Sequence, residues 1–158
     1  MTDHYDLVVT ALFALFEKEL PSYFPHPVKQ FAKADDTILD NGHDYYALAF
    51  PGAFPIEPAG TGVYEVTWEV QLELYCRWTK TEKKAWIDFG AFRSDVFNLV
   101  NTTMKGRTLD RTSGVREAVL SSTDRPSYIP VNANALDGPV AFIRQVCLVN
   151  VSYKVNRL

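Results

Sequence analysis

The 158-residue chain is expected to fold as one α+β domain, residues 1–158, built on a mainly antiparallel four-stranded sheet with two long helices packed on one face. The expected element order is α-β-β-α-β-β. Three observations lead there. From Tyr64 to Trp78 every even position is apolar: Tyr64, Val66, Trp68, Val70, Leu72, Leu74, Cys76 and Trp78. The odd positions between them are polar except Tyr75, which is the period-two pattern of a strand with one wet face. Directly afterwards the period lengthens to 3.6, and a second alternating run closes the chain from Val140 to Val155.

The first helix is expected from Asp3 to Leu20. Asp3 suits the N-cap, Asp6 suits the first turn, and Pro21 ends the run. Val8, Leu12, Leu15 and Phe16 make one stripe, while Leu7, Ala11, Phe13 and Ala14 nearly complete the circle. A helix apolar most of the way round needs cover on more than one side, from the sheet and second helix or from a neighbouring subunit.

Residues 21–44 read as irregular, with Pro21, Pro25 and Pro27 at the start and an Asp40-Asn41-Gly42 turn signal near the end. Tyr45 to Phe50 is a short strand. Residues 51–60, with Pro51, Pro55 and Pro58, read as a loop, because proline donates no ladder hydrogen bond. After the long strand, Thr79 and Glu82 form a capping box for a second helix whose apolar face carries Ala85, Phe89, Phe92, Val96, Leu99 and Val100. Lys105-Gly106 supplies its C-terminal signal. Val115 to Leu120 is a short strand, and Thr123 to Pro139 a long connection. In the last strand Ile143, Cys147, Val149, Val151, Tyr153 and Val155 share one face, with Arg144, Asn150, Ser152 and Lys154 on the other. Val146 to Val149 is apolar on both faces, as in a central strand.

Length gives the pattern a further meaning. A strand from Tyr64 to Trp78 spans ~50 Å, whereas a compact domain of this size has a diameter of roughly 40 Å. The strand is therefore expected to overhang its own domain and to be received by something outside the monomer.

Composition excludes several classes. The net charge of −3 leaves no global footprint for nucleic acid or an anionic membrane. No apolar run approaches the ~20 residues of a membrane span, and the start lacks the basic residues of a signal peptide, so a soluble protein made in a cytoplasm is expected. Cys76 and Cys147 fall on apolar strand faces and read as reduced, buried thiols.

Motifs for chemistry are sparse, and no enzymatic activity, metal or cofactor is expected. Gly60-Thr61-Gly62 enters a strand instead of leaving one, and Glu65 stands where a dinucleotide fingerprint needs its third glycine. The acidic run 35–44 would put Thr37 and Leu39 at calcium-ligand positions, which fails that reading. His4, His26 and His43 are never at i, i+4 spacing. His43 is the one histidine weighed as part of a catalytic His–Asp arrangement, since its partners would be spatial.

Two surface sets remain. Glu65, Glu69 and Glu73 recur every four residues on the polar strand face, about 13 Å apart at each step, too far for an acid/base pair. With Arg77 they read as a solvated face, a subunit contact, or the wall of a passage that repels polyanions. Lys105, Arg107, Arg111 and Arg116 give the segment after the second helix a basic bias, fit for solvent, an acidic partner or passing DNA phosphate.

The layout resembles the tail terminator (tail completion) proteins of long-tailed bacteriophages. The features that carry the resemblance are the N-terminal helix, a short strand, the long strand through Val66–Tyr75, the charged cap Thr79–Glu82 before one long helix, and the closing strand Val146–Val155 with its Tyr153-Lys154 ending. The resemblance covers nearly the whole chain, while the 51–60 and 123–139 segments depart from it. It implies a structural virion protein that forms a hexameric ring on the tail tube, ends tube polymerisation and offers a surface to the head–tail connector. Implied partners are further copies of the chain, the tail tube protein, the connector protein and, transiently, DNA passing through the hole. Its place would be the head-proximal end of the virion tail, after assembly in the bacterial cytoplasm. A neck protein of similar architecture, or a monomeric or dimeric protein- or ligand-binding module, are the competing expectations.

Overall fold

The computed structural model describes residues 4–25, 42–51, 56–60, 63–78, 81–103, 115–131 and 140–156. In chain order they form α1 (His4–Glu19), β1 (Tyr45–Pro51), β2 (Ile56–Gly60), β3 (Val63–Arg77), α2 (Glu82–Asn98) continuing into a π-helical turn (Leu99–Thr103), β4 (Val115–Thr123), β5 (Ser127–Val131) and β6 (Val140–Asn156). The class is mixed α+β, as expected, but the order differs: the sheet has six strands, because β2 and β5 arise from segments read as loops. All pairings are antiparallel.

The sheet is nonetheless four strand-positions wide. β3 and β6 form its centre and pair from Val63↔Asn156 to Arg77↔Phe142. β1 and β2 lie in turn along the outer side of β3, and β4 and β5 along the outer side of β6. This placement explains the two extra strands. Pro58 in β2 and Pro130 in β5 occupy outer strands, where a missing N–H need not cost a ladder bond.

The even-numbered positions of β3 face the helices. Val70, Leu72, Leu74 and Cys76 join Ala47 and Ala49 of β1 and Ile143, Cys147 and Val149 of β6 in one buried cluster. α1 adds Val9, Leu12, Phe13 and Phe16, and α2 adds Ala85, Phe89, Phe92 and Val96. Both helices therefore lie on one face of the sheet. In α1 the described buried positions, Val9, Leu12, Phe13 and Phe16, follow i, i+3, i+4, i+7 spacing and Ala14 is exposed, while the side chains of Leu7, Val8 and Ala11 lie outside the described residues. Beyond α1, Leu20 N–H donates to Phe16 C=O, and a tight turn returns Phe24 to stack on Phe16 at 5.9 Å.

α2 begins two residues later than the capping box placed it. Thr81, in extended conformation, is the N-cap, and its hydroxyl accepts from Lys84 N–H at 3.3 Å; Glu82 is the first helical residue. At the other end the α-helix stops at Asn98 and a π-helical turn follows from Leu99 to Thr103; the expected Lys105-Gly106 end lies outside the described residues. Near the start of β1, Gly42 adopts φ 77°, the left-handed conformation that its turn signal requires.

The face away from the helices is not simply wet. Tyr46, Leu48, Tyr75 and Phe142 form a second buried cluster there, with Phe50, Ile129 and Val140 packed against it. Tyr46 and Tyr75 each meet Phe142 edge-on, at 5.8 and 6.3 Å.

Candidate functional site

The second cluster holds the most concentrated polar chemistry among the described residues. Glu73, on β3, is 4% exposed. Its Oε1 accepts from Arg144 Nε at 2.6 Å, from a second Arg144 guanidinium nitrogen, and from the Tyr75 hydroxyl at 3.2 Å. The ladder explains the meeting. Tyr75 lies directly opposite Arg144, so Glu73, two residues earlier, sits diagonally across from it on the same face. Burial is the largest single influence on Arg144 and opposes its charge, but the hydrogen bonds and charges of Glu73 and Tyr75 together outweigh it and the net shift is upward. Burial, reinforced by the Glu73 carboxylate, also raises Tyr75, which stays a neutral hydroxyl donor at physiological pH.

This corrects the acidic row. Glu73 does not face solvent, a neighbour or a passage, because it is consumed by an ion pair inside the monomer. Glu69 is half-buried and lies opposite Asn150. Glu65 lies opposite Lys154 on one side and Glu57 on the other, and its side chain is outside the described residues. Arg77 stands 3.7 Å from Asp44, a partly exposed pair. Of the basic set, Lys105, Arg107 and Arg111 are outside the described residues, and Arg116 is placed only as a backbone position in β4.

His43 and Asp44 line a cavity of about 210 Å³ together with Ser22, Tyr23, Pro25, Gly42 and Tyr45. The backbone N–H of His43 donates to the Tyr46 hydroxyl at 3.1 Å, and its ring packs edge-on to Tyr46 at 5.7 Å. Tyr23 donates to Asp95 at 2.5 Å and meets Tyr45 at 4.8 Å. Burial raises both phenols, Tyr45 to about 12. The residues here are packed and hydrogen-bonded to one another, and among the described residues no three His, Cys, Asp or Glu side chains converge as metal ligands. Cys76 and Cys147 are free and buried. Burial pushes both thiols up to about 12, which leaves them protonated and unreactive at neutral pH.

A third feature lies where β3 hands over to α2. Trp78 meets Tyr128 of β5 at 4.9 Å and Trp86 of α2 at 6.3 Å, both edge-on. Trp86 is 38% exposed and Tyr128 53%; with Ile87, at 59%, they are the exposed large hydrophobic residues among those described. Nearby, buried Gln145 donates to Asp124 C=O at 2.7 Å and accepts from Arg93 of α2 at 3.4 Å. That bridge fixes α2 over the β4–β5 turn.

Sequence reading missed the Glu73–Arg144 pairing and the exposed aromatic group. Period two placed Glu73 and Arg144 on polar faces of their strands; only the register brings them together. No known protein-family model matches the chain, and no curated protein matches it.

Proposed function

We propose that the protein is a structural virion component whose copies form a ring on the end of a phage tail tube, stop its polymerisation and present a surface for head attachment. The observation that carries this reading is the central β3–β6 ladder. Strands of 15 and 17 residues extend ~50 Å, whereas helices of 16 and 17 residues reach only ~25 Å. The helices reach Val70–Cys76 and Ile143–Val149 in the described core, and the side chains of 63–68 and 151–156 lie outside the described residues. A blade of sheet longer than its own helical layer suits a subunit that is completed by neighbours. Glu65 and Glu69 remain the candidates for a lumen wall that repels DNA, and Lys105, Arg107, Arg111 and Arg116 for contacts with the connector, the tube or passing DNA phosphate.

The competing reading is a ligand-binding module, and the cavity beside His43 is the feature that favours it. Its volume, about 210 Å³, falls below the roughly 300–1,000 Å³ of drug-sized ligand sites. Light scattering and negative-stain imaging of the purified protein separate the readings. Rings with a central hole, which halt the growth of tail tubes when added to polymerising tube protein, are expected. A strict monomer at high concentration that leaves tube length unchanged overturns the proposal.

A further inference from the structure

We propose that the cavity bounded by Ser22, Tyr23, His43, Asp44 and Tyr45 is a binding site for an alkylammonium group, carried either by a free small amine or by a lysine side chain of another protein. The inference goes beyond the ring reading and does not depend on it.

Two turns make the cavity. α1 ends at Glu19, and in the turn after it the N–H groups of Tyr23 and Phe24 both donate to Leu20 C=O, which brings Ser22, Tyr23 and Pro25 to one wall. The turn into β1 makes the other wall, where Gly42 takes its left-handed conformation and His43, Asp44 and Tyr45 follow. Both walls are anchored from behind. Tyr23 and Tyr45 meet each other at 4.8 Å and meet Phe92 of α2 at 5.0 and 4.9 Å. The Tyr23 hydroxyl donates to Asp95, His43 N–H donates to the Tyr46 hydroxyl, and Asp44 C=O accepts from Arg77 N–H at 2.7 Å. The space of about 210 Å³ therefore lies between residues already fixed by their own partners, and a ligand finds it formed.

Electrostatics selects the sign of the ligand. Asp44 brings a carboxylate to the wall, on a side chain that is 69% exposed. Two more carboxylates stand close by: Asp95 holds the Tyr23 phenol, and Asp88 acts on Tyr45. Burial raises both phenols, and these carboxylates add to it, with no described cation acting on either ring in the opposite sense. Arg77, 3.7 Å from Asp44, answers one of the three negative charges. The field at the cavity is therefore negative.

The walls narrow the class further. A metal ion of the calcium or magnesium type wants several oxygen ligands at once, whereas Asp44 is the one carboxylate in the lining and no three ligating side chains converge among the described residues. An anion meets repulsion. An ammonium on a short carbon stem suits both parts of the lining. Its N–H groups can donate to the Asp44 carboxylate and the Ser22 hydroxyl oxygen, while phenol and imidazole rings attract cations and cover the methylene groups. The volume, smaller than that of drug-sized sites, limits the occupant to a few heavy atoms.

Saturation-transfer NMR on the full chain detects weak ligands whatever the size of the assembly. n-Butylammonium should bind saturably, with a dissociation constant on the order of 1–10 mM. Its neutral isostere 1-butanol and the anion butyrate should bind at least about tenfold more weakly. Asp44→Asn should weaken the ammonium by roughly threefold or more, and Ser22→Phe, which fills the space from an exposed position, should abolish binding. Far-UV circular dichroism checks that both variants fold; if Ser22→Phe does not, Asp44→Asn decides. Nα-acetyl-lysine methylamide binding as tightly as butylammonium assigns the group to a protein side chain, and rejection of that amide with butylammonium retained assigns it to a free amine. Absence of a saturable butylammonium signal, equal binding of 1-butanol, or binding that neither variant changes overturns the site. None of these results bears on ring formation, which light scattering and imaging judge separately.

Discussion

Replacing Arg144 by methionine tests whether Glu73 is held in the sheet by that one partner. Glu73 is 4% exposed, and without Arg144 its carboxylate retains the Tyr75 hydroxyl at 3.2 Å as its described donor. Breaking a fully buried pair by removing one partner costs ~3–5 kcal/mol. The Arg144 side chain is 33% exposed, so water can approach the site and the expected loss is reduced to about 2–4 kcal/mol. For a domain of this size that corresponds to a melting-temperature drop of roughly 5–15 °C. The reverse substitution, Glu73→Leu, leaves a guanidinium that can turn toward solvent and should cost under about 1 kcal/mol. The double variant Glu73→Leu with Arg144→Met should return to within about 1 kcal/mol of wild type, since an apolar pair suits the Tyr46, Leu48, Phe142 surroundings. Urea unfolding followed by tryptophan fluorescence at fixed protein concentration gives all four corners of the cycle. Equal losses from the two single substitutions, or an Arg144→Met loss below about 0.5 kcal/mol, would refute the assignment of Glu73 as a buried charge dependent on Arg144.

Two further predictions concern the core and the helix cap. Burial raises the Cys147 thiol from 9.0 to about 12, so the unfolded chain loses this proton first as pH rises. The associated stability is fully present below about pH 9 and is lost toward pH 12, up to ~4 kcal/mol; a Cys147→Val variant should lose stability less steeply with pH in urea titrations between pH 8 and 11. Thr81→Ala removes the oxygen that accepts from Lys84 N–H and should cost about 1 kcal/mol, seen as a lower urea midpoint with an unchanged slope.

The legible parts of the fold were those that repeat. Alternation from Val70 to Cys76 reported which side chains meet the helices, because burial on one face imposes period two whatever the partner. The same pattern misread Glu73 and Tyr75, since polarity along one strand does not reveal that Arg144, 71 residues later, sits diagonally opposite. β2 and β5 were hidden by Pro58 and Pro130, whose penalty depends on whether the strand is central or outer. That is a property of the finished sheet and not of the segment. Thr79 with Glu82 matches the stronger capping-box pattern two residues before the actual N-cap, Thr81. The aromatic step was the least legible, as Trp78, Trp86 and Tyr128 come from a strand end, a helix and a supposed loop, and each alone reads as ordinary core.

The outer strands also bear on how copies of the chain can meet. Extended strands offer edges, and edge-to-edge pairing was the simplest contact to expect from so long a sheet. Three of the four outer strands contain a proline, namely Pro51 in β1, Pro58 in β2 and Pro130 in β5. The fourth, β4, has none, but its register against β6 shifts twice, between Val115 and Glu117 and between Leu120 and Ser122. Prolines and bulges are the devices by which sheets refuse further strands. If copies of the chain associate, side-chain faces are therefore better placed than backbone edges to make the contact. A contact between faces also leaves the β3–β6 blade free to point wherever the assembly needs it.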